Sequence, residues 1–410
     1  MSARFSLSFW TLVAAESLLV TGAALSFPFL AVYLTVHRGL HAGLVGGFLS
    51  LSIFSTAVAH GIGGEWSDVV GRKRVMLISL SGRSAATVLM AWIIWTEQHY
   101  IWIMVLHLLG MFLGSLFTPA ARSWVADTTE YHRRVRAYGF LRMGSNLGWA
   151  LGPAVGGALA LASYPMMFLF TALAFAGSAL TIGLGVKDSP RSHHEEGMDF
   201  KAAFETLSDK RFARLCLSSL LIGMVMSQLV VALSLHCVRY LGMPESRVGL
   251  LFSLNGAVVV LLQYWASKGL ESARLTSGLT LGCILYGAGY LGVGFSGTFA
   301  AAAVAVFVLT LGEVLVQPGQ HTLAANIAPE HHKGRYLGVH GILQAIGSGL
   351  GVLLGGLGNE HLAPYWAPLP WCLVGCVAFA AGWSFKSLRK RLTAKEDGDG
   401  RATELEEVPV

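Results

Sequence analysis

The chain has 410 residues, 54% of them hydrophobic and only 13% charged. A soluble domain carries about 25% charged residues, so that class is excluded. The net charge of +6 does not mark a nucleic-acid binder, because the Lys and Arg residues sit in short segments between apolar runs, a pattern that reports membrane topology.

Apolar runs long enough to cross a bilayer recur at 9–35, 42–66, 74–96, 101–127, 137–161, 165–186, 211–238, 246–267, 274–296, 299–327, 336–358 and 365–386. The first follows Arg4 and is too long for a secretory leader, so it is expected to be an uncleaved first helix. Twelve spans predict an all-α integral membrane protein with both termini on one side. Of the Lys and Arg residues, 23 fall on that side, three (Arg38, Arg239, Arg247) on the other and three (Arg83, Arg122, Arg142) within spans. The skew places the termini in the cytoplasm.

The longest interior polar segment, 187–210, divides the spans six and six. The expected domains are therefore 1–186, a linker at 187–210, 211–388, and a charged tail at 389–410 expected to be disordered. Within the linker, Phe200, Phe204 and Leu207 are spaced for a helix lying on the membrane surface; a solvated linker accounts for them equally. The five cysteines, Cys216, Cys237, Cys283, Cys372 and Cys376, all fall in or beside spans, and imply neither a disulfide framework nor a metal cluster.

A shift of 199 residues, without gaps, pairs Pro119 with Pro318, Arg136 with Arg335, Gly139 with Gly338, Gly148 with Gly347, Gly152 with Gly351, and Gly156-Gly157 with Gly355-Gly356. Internal repeats of this kind build many secondary transporters. Pro153 has no partner, since Val352 stands in its place, so a kink is expected in the first half only.

Ionisable residues inside spans are costly and mark candidate sites. Glu16 lies in the first span, about three turns before Pro28, and Glu313 near the middle of the tenth, one turn before Gln317-Pro318. A carboxyl group among apolar helices can load and release a proton near neutral pH, and a cationic cargo can compete for it. The bland alternative is that each Glu is permanently paired with a buried polar group. Among the cations, Arg122 is expected to snorkel to the cytoplasmic surface, whereas Arg142 either does the same, faces a cavity or pairs with Glu16. His107 either titrates near neutral pH or is a polar residue near the outer surface of the bundle. Asn146, Gln228, Asn255 and Gln344 either line a polar cavity or join helices. His60, His236, His321 and His340 show no metal-ligand spacing and are expected to be packing or cavity residues.

The loop between spans two and three reads Gly64-Glu65-Trp66-Ser67-Asp68-Val69-Val70-Gly71-Arg72-Lys73. Gly71 permits the backbone reversal, and Asp68 can accept hydrogen bonds from loop amides or pair with Arg72. In span five Gly144, Gly148, Gly152 and Gly156 recur every four residues and form one stripe of a helix, suited to close helix contact in a bilayer. The pattern of Gly64, Asp68, Gly71, Arg72 and Lys73 resembles the loop motif of the major facilitator superfamily. Gly139, Gly148, Gly152, Pro153, Gly156 and Gly157 resemble the antiporter motif of its drug:proton antiporters.

That resemblance implies a major facilitator fold of two pseudo-symmetric six-helix bundles, with the loop acting as a latch completed by a carboxylate ending span four, Asp127. It implies a multi-pass monomer of the bacterial inner membrane. It also implies export of a hydrophobic or cationic small molecule against protons, with Glu16, Glu313, Arg142, His107, Asn146 and Gln317 as coupling or binding candidates. His107 stands where such exporters usually carry an Arg, which puts the usual relay through that Arg in doubt. The other readings kept open are export of a metabolite, siderophore, sugar or lysolipid on the same fold, and a scaffold or sensor that moves nothing. Neither a phosphate-binding loop nor a hydrolase motif occurs; the proton gradient is the expected driving force, with no cofactor and no enzyme activity.

Overall fold

A computed structural model of the chain describes residues 5–129, 134–188, 205–271, 273–329 and 333–398. The proposed surface helix, at 199–207, falls mostly outside them. Among the described residues, eleven helices are long and apolar enough to cross a membrane. They are α1 (Leu7–His37), α2 (Ala42–Val70), α3 (Arg72–Trp95), α4 (Tyr100–Thr128), α6 (Tyr164–Gly185), α7 (Lys210–Arg239), α8 (Glu245–Leu270), α9 (Leu275–Phe295), α10 (Phe299–Ile327), α11 (Tyr336–Leu362) and α12 (Leu369–Arg391). The glycine-striped α5 (Arg134–Ala162) completes the expected twelve. It carries Pro153 inside an unbroken helical run.

Helices are the natural outcome here, since a bilayer offers no water to satisfy free backbone groups. Their exposed ends are capped locally where polar residues occur. Ser6 accepts from the Phe9 amide, Ser163 from that of Met166 and Thr298 from that of Ala301. Leu51, Leu109, Leu169, Leu180 and Phe307 are exposed, as lipid-facing residues must be. Trp92, Trp95 and Trp102 are exposed near helix ends, the place of interfacial aromatic belts.

The chain forms two compact units. Unit 1 comprises Met1–His41, Leu51–Glu196 and Cys237–Gly256; unit 2 comprises Ala42–Ser50, Gly197–His236 and Ala257–Val410. Each sequence half thus gives a short segment to the unit built mainly from the other. Within unit 1, α1 packs on α5 and α6, and α3 packs on α4 and α6. Within unit 2, α7 packs on α11 and α12, and α9 packs on α10 and α12. The pairings are the same six helices on, as the sequence repeat requires. Unit 1 is centred on buried Phe9, Leu12, Leu80, Phe117, Trp124 and Phe175.

The first part of the tail departs from expectation, while residues 399–410 lie outside the described residues. Through Gly398 it is folded against unit 2 rather than disordered. Asp397 is 2% exposed, and its carboxylate accepts from the Thr276 amide and hydroxyl, both at 2.8 Å. Its carbonyl accepts from the Leu275 amide at 2.8 Å. Glu396 meets Arg211 at 2.6 Å. A charged, apolar-poor stretch stays ordered here because it satisfies the free amides that open α9. On the same side of unit 2, Asp209 caps α7. Partial burial works against its ionisation, but hydrogen bonds from Arg211 outweigh that and hold the carboxyl below the usual carboxylate range. Asp397→Ala strips α9 of its cap and is expected to cost about 1 kcal/mol, read as a lower melting temperature of the purified protein.

Candidate functional site

Glu16 lies on the stretch of α1 that faces α5. It is half-buried, and the Ser145 hydroxyl donates to its Oε1 at 2.9 Å. The guanidinium near enough to act on its charge is that of Arg122, from α4. Arg122 is exposed, so its charge reaches both the helix surface and Glu16. Arg142 is also exposed and is not the partner of Glu16. Asn146 is half-buried, one residue past Ser145.

Unit 2 holds the second acid. Glu313 on α10 is half-buried and acts electrostatically on Tyr286 and Tyr290 of α9. One turn on, Gln317 Nε2 lies 3.6 Å from the Met226 sulfur. Of the other in-span amides, Gln228 donates to Gly351 O at 2.7 Å, which ties α7 to α11. Gln263 donates to Val314 O at 3.1 Å. Both are helix-joining contacts.

His107 lines a narrow cavity in unit 1 with Ser26, Phe27, Arg83, Met111 and Phe175. Its ring lies 6.2 Å from that of Phe27. Arg83 points into the same space. Its guanidinium sits 4.4 Å over the Phe175 ring and 3.6 Å from the Met111 sulfur. Ion pairs among the described residues do not include Arg83. Gly114 makes room for it, since a Cβ there would lie within 3 Å of its Nη1.

The loop residues come together around Arg72, which is 6% exposed. It pairs with Asp68, meets Asp127 Oδ2 at 3.1 Å and donates to the Ser67 hydroxyl at 2.6 Å. Gly71 adopts φ 108°, a backbone that suits glycine alone, and Gly64 is half-buried. The neighbouring Lys73 donates to Gly183 O at 2.9 Å. One guanidinium therefore joins the end of α2, the start of α3 and the end of α4. Arg72→Lys keeps the charge but cannot fork to three acceptors at once. It is expected to cost about 1 to 3 kcal/mol, against a smaller change for Lys73→Arg, measured by thermal unfolding of the purified protein.

The glycine stripe of α5 lies on the backbone of α1. A Cβ at Gly148 would come within 2.6 Å of Ser17 O, one at Gly152 within 2.7 Å of Thr21 O, and one at Gly156 would collide with Leu25 O. Gly157 approaches Glu245 O, and Pro153 O is approached by Gly249; these contacts belong to the segment of α8 that joins unit 1. Gly139 has nothing within 4 Å. In unit 2 the repeat recurs in space. Gly347 lies on Leu220 O, Gly351 on Met224 O and Gly355 on the Gln228 amide, all on α7.

Some partners carry no local signal in the sequence. Ser145 is one hydroxyl among many small residues of α5. Glu245 opens α8 and accepts from Tyr164 Oη at 3.0 Å, with His37 Nε2 at 3.4 Å. Gln320 is fully buried, and neither end of its side-chain amide finds a partner among the described residues.

Among the described residues, twelve long helices in two repeated units, with acids inside the spans and a forked arginine at the loop between α2 and α3, define a polytopic membrane transporter. The sequence model of the Major Facilitator Superfamily matches residues 12–352, and the chain belongs to that family. Its members move small molecules across membranes and are not enzymes. The chain is 24% identical over 357 residues to the uncharacterized MFS-type transporter YdeE of Escherichia coli K12, covering 86% of this chain and 89% of that one. It is 25% identical over 399 residues to the multidrug resistance protein MdtH of Salmonella newport, covering 93% and 95%. Among solved structures, the nucleoside transporter NupG superposes with a TM-score of 0.77 at 12% identity, covering 93% of this chain and 99% of that one. A bacterial homologue of the human lysosomal transporter Spinster gives 0.75 at 15%, covering 95% and 97%. At these identities the structures share the fold alone.

Proposed function

We propose that this protein exports a hydrophobic or cationic small molecule in exchange for protons, by alternating access, with Glu16 as the main coupling group. The observation that carries the proposal is the partner of Glu16. A hydroxyl can donate to a carboxylate and can accept from a carboxylic acid. Ser145 therefore serves Glu16 in either protonation state, so neither state strands a buried polar atom. A carboxylate locked to a buried cation would have no such freedom, because neutralising it leaves the cation alone. Arg122 lies near without forming a direct pair. A cationic cargo beside Glu16 stabilises the carboxylate over the acid, which links arrival of cargo to departure of the proton. Glu313, beside two buried tyrosines, is the second candidate acid. The multidrug resistance name of the MdtH relatives agrees with this class of cargo. The cytoplasmic placement of both termini follows from the charge skew and belongs to the same reading.

The test uses the full chain in proteoliposomes with an imposed pH gradient and a pH-sensitive dye inside. Addition of tetraphenylphosphonium, a lipophilic cation, is expected to dissipate the gradient faster than in empty vesicles. An unchanged gradient with folded protein, across a panel of lipophilic cations, overturns the reading.

A further inference from the structure

A second titratable cluster lies in unit 2, about two turns beyond Glu313 along α10. His321 on α10 and His340 on α11 have ring centroids 5.2 Å apart, with planes at 71°. His340 is fully buried, and its Nε2 lies 2.8 Å from the Ser219 hydroxyl of α7. Its Nδ1 is buried and makes no hydrogen bond among the described residues. His321 is exposed.

The position of this cluster follows the repeat. The 199-residue offset carries Arg122 onto His321. It also carries α1 onto α7, α4 onto α10 and α5 onto α11. The three helices that present Glu16, Arg122 and Ser145 in unit 1 are thus matched by the three that present Ser219, His321 and His340 in unit 2. One unit places a carboxyl, a hydroxyl and a cation at this level. The other places a hydroxyl and two imidazoles.

We propose that His321 and His340 form a second proton-binding site, in which the exposed ring exchanges protons with water and the buried ring takes them up. This rests on the reading that protons are the coupling ion. A neutral imidazole has one N–H and one bare nitrogen. The proposed site uses the tautomer in which Nε2–H donates to the Ser219 hydroxyl; the bare nitrogen of His340 is then Nδ1, and no donor among the described residues fills it. That open valence is the place a proton goes. In a direct transfer one N–H bond breaks on protonated His321 and one forms on His340; through one water, the water takes the first proton and passes one of its own to His340. α11 packs on α7 and α10 and, near Val352 to Leu357, on the start of α2; among the described residues His321 is the titratable neighbour that acts on His340, and Ser219 is its polar contact. Two imidazoles this close titrate as a coupled pair.

The experiment is an NMR titration of the full chain in detergent, with histidine rings labelled at Cε1, from about pH 5 to pH 9, the range in which imidazoles titrate. His321→Gln and His340→Gln identify the two signals by their loss. Both are expected to titrate in the unmodified protein, and removal of either should move the midpoint of the other by about half a unit or more. Glu16→Gln is expected to leave that coupling in place, which separates this site from the failure or success of drug export. A His340 signal constant across the range, or midpoints indifferent to each other's removal, overturns the proposal. Should His340→Gln fold poorly, His321→Gln alters an exposed residue and decides the matter through the His340 signal alone.

Discussion

Glu16→Gln leaves the protein folded and brings cargo-driven proton movement down to the level of empty vesicles. The replacement has the same length as glutamate, and its amide oxygen still accepts from Ser145, now 2.9 Å from Oε1. The packing of α1 on α5 is untouched. Stability is therefore expected to change by less than about 1 kcal/mol. What disappears is the exchangeable proton, and with it the means by which arrival of a cation could expel one. The measurement pairs dye-reported proton movement with a melting curve on the same preparation. Retention of full coupling by Glu16→Gln at unchanged stability would move the coupling role elsewhere, with Glu313 as the next residue to neutralise. Glu16→Ala is less informative, because it leaves Ser145 facing a gap.

The fold was legible to the degree that it is written locally. Hydropathy located most of the spans, because a bilayer demands about 20 apolar residues per crossing; α5 stands out by its glycines instead. The spacing of Gly148, Gly152 and Gly156 announced a helix face without side chains, and that face lies on α1. The loop sequence announced a turn at Gly71, and the turn has a positive φ. Asp127 as a partner of the loop was expected only from the resemblance to the family's motif, and it lies 3.1 Å from Arg72.

The site was less legible, because its partners are far apart in sequence. Glu16 and Ser145 are 129 residues apart, and although Ser145 is the one serine of α5, nothing local says that it faces α1. The choice between Arg122 and Arg142 depends on the rotation of two helices, which hydropathy does not encode in a span apolar on most sides. His321 and His340 lack metal-ligand spacing, and that correct observation hid a pairing between neighbouring helices. Residues 393–398, which composition reads as disordered, are ordered for a different reason. Disorder arguments weigh the apolar area a segment can bury, whereas residues 393–398 are held by the polar demand of a helix end.

The largest expected loss of stability comes from Gly156→Ala, and its comparison with Gly139→Ala tests how the glycine stripe works. Both positions belong to the same motif by spacing. They differ in what a methyl group would meet. At Gly156 the added carbon collides with backbone atoms of Leu25, including its carbonyl oxygen. Backbone cannot rotate away as a side chain can, so α1 and α5 must separate along their length. Such overpacking costs about 1 to 3 kcal/mol, occasionally more, and here it also loosens the contacts at Gly148 and Gly152. At Gly139 nothing lies within 4 Å. Alanine there costs nothing in packing and gains up to about 1 kcal/mol of helix propensity. Gly156→Ala is therefore expected to lower the melting temperature of the purified protein sharply, while Gly139→Ala leaves it unchanged or slightly raised. The same contrast is expected in unit 2 between Gly347, seated on Leu220 O, and Gly338, which has open space around it. If alanine were equally harmful at Gly139 and Gly156, the motif would act through backbone flexibility rather than through close contact. If it were equally harmless, α1 and α5 would not depend on that contact for their association.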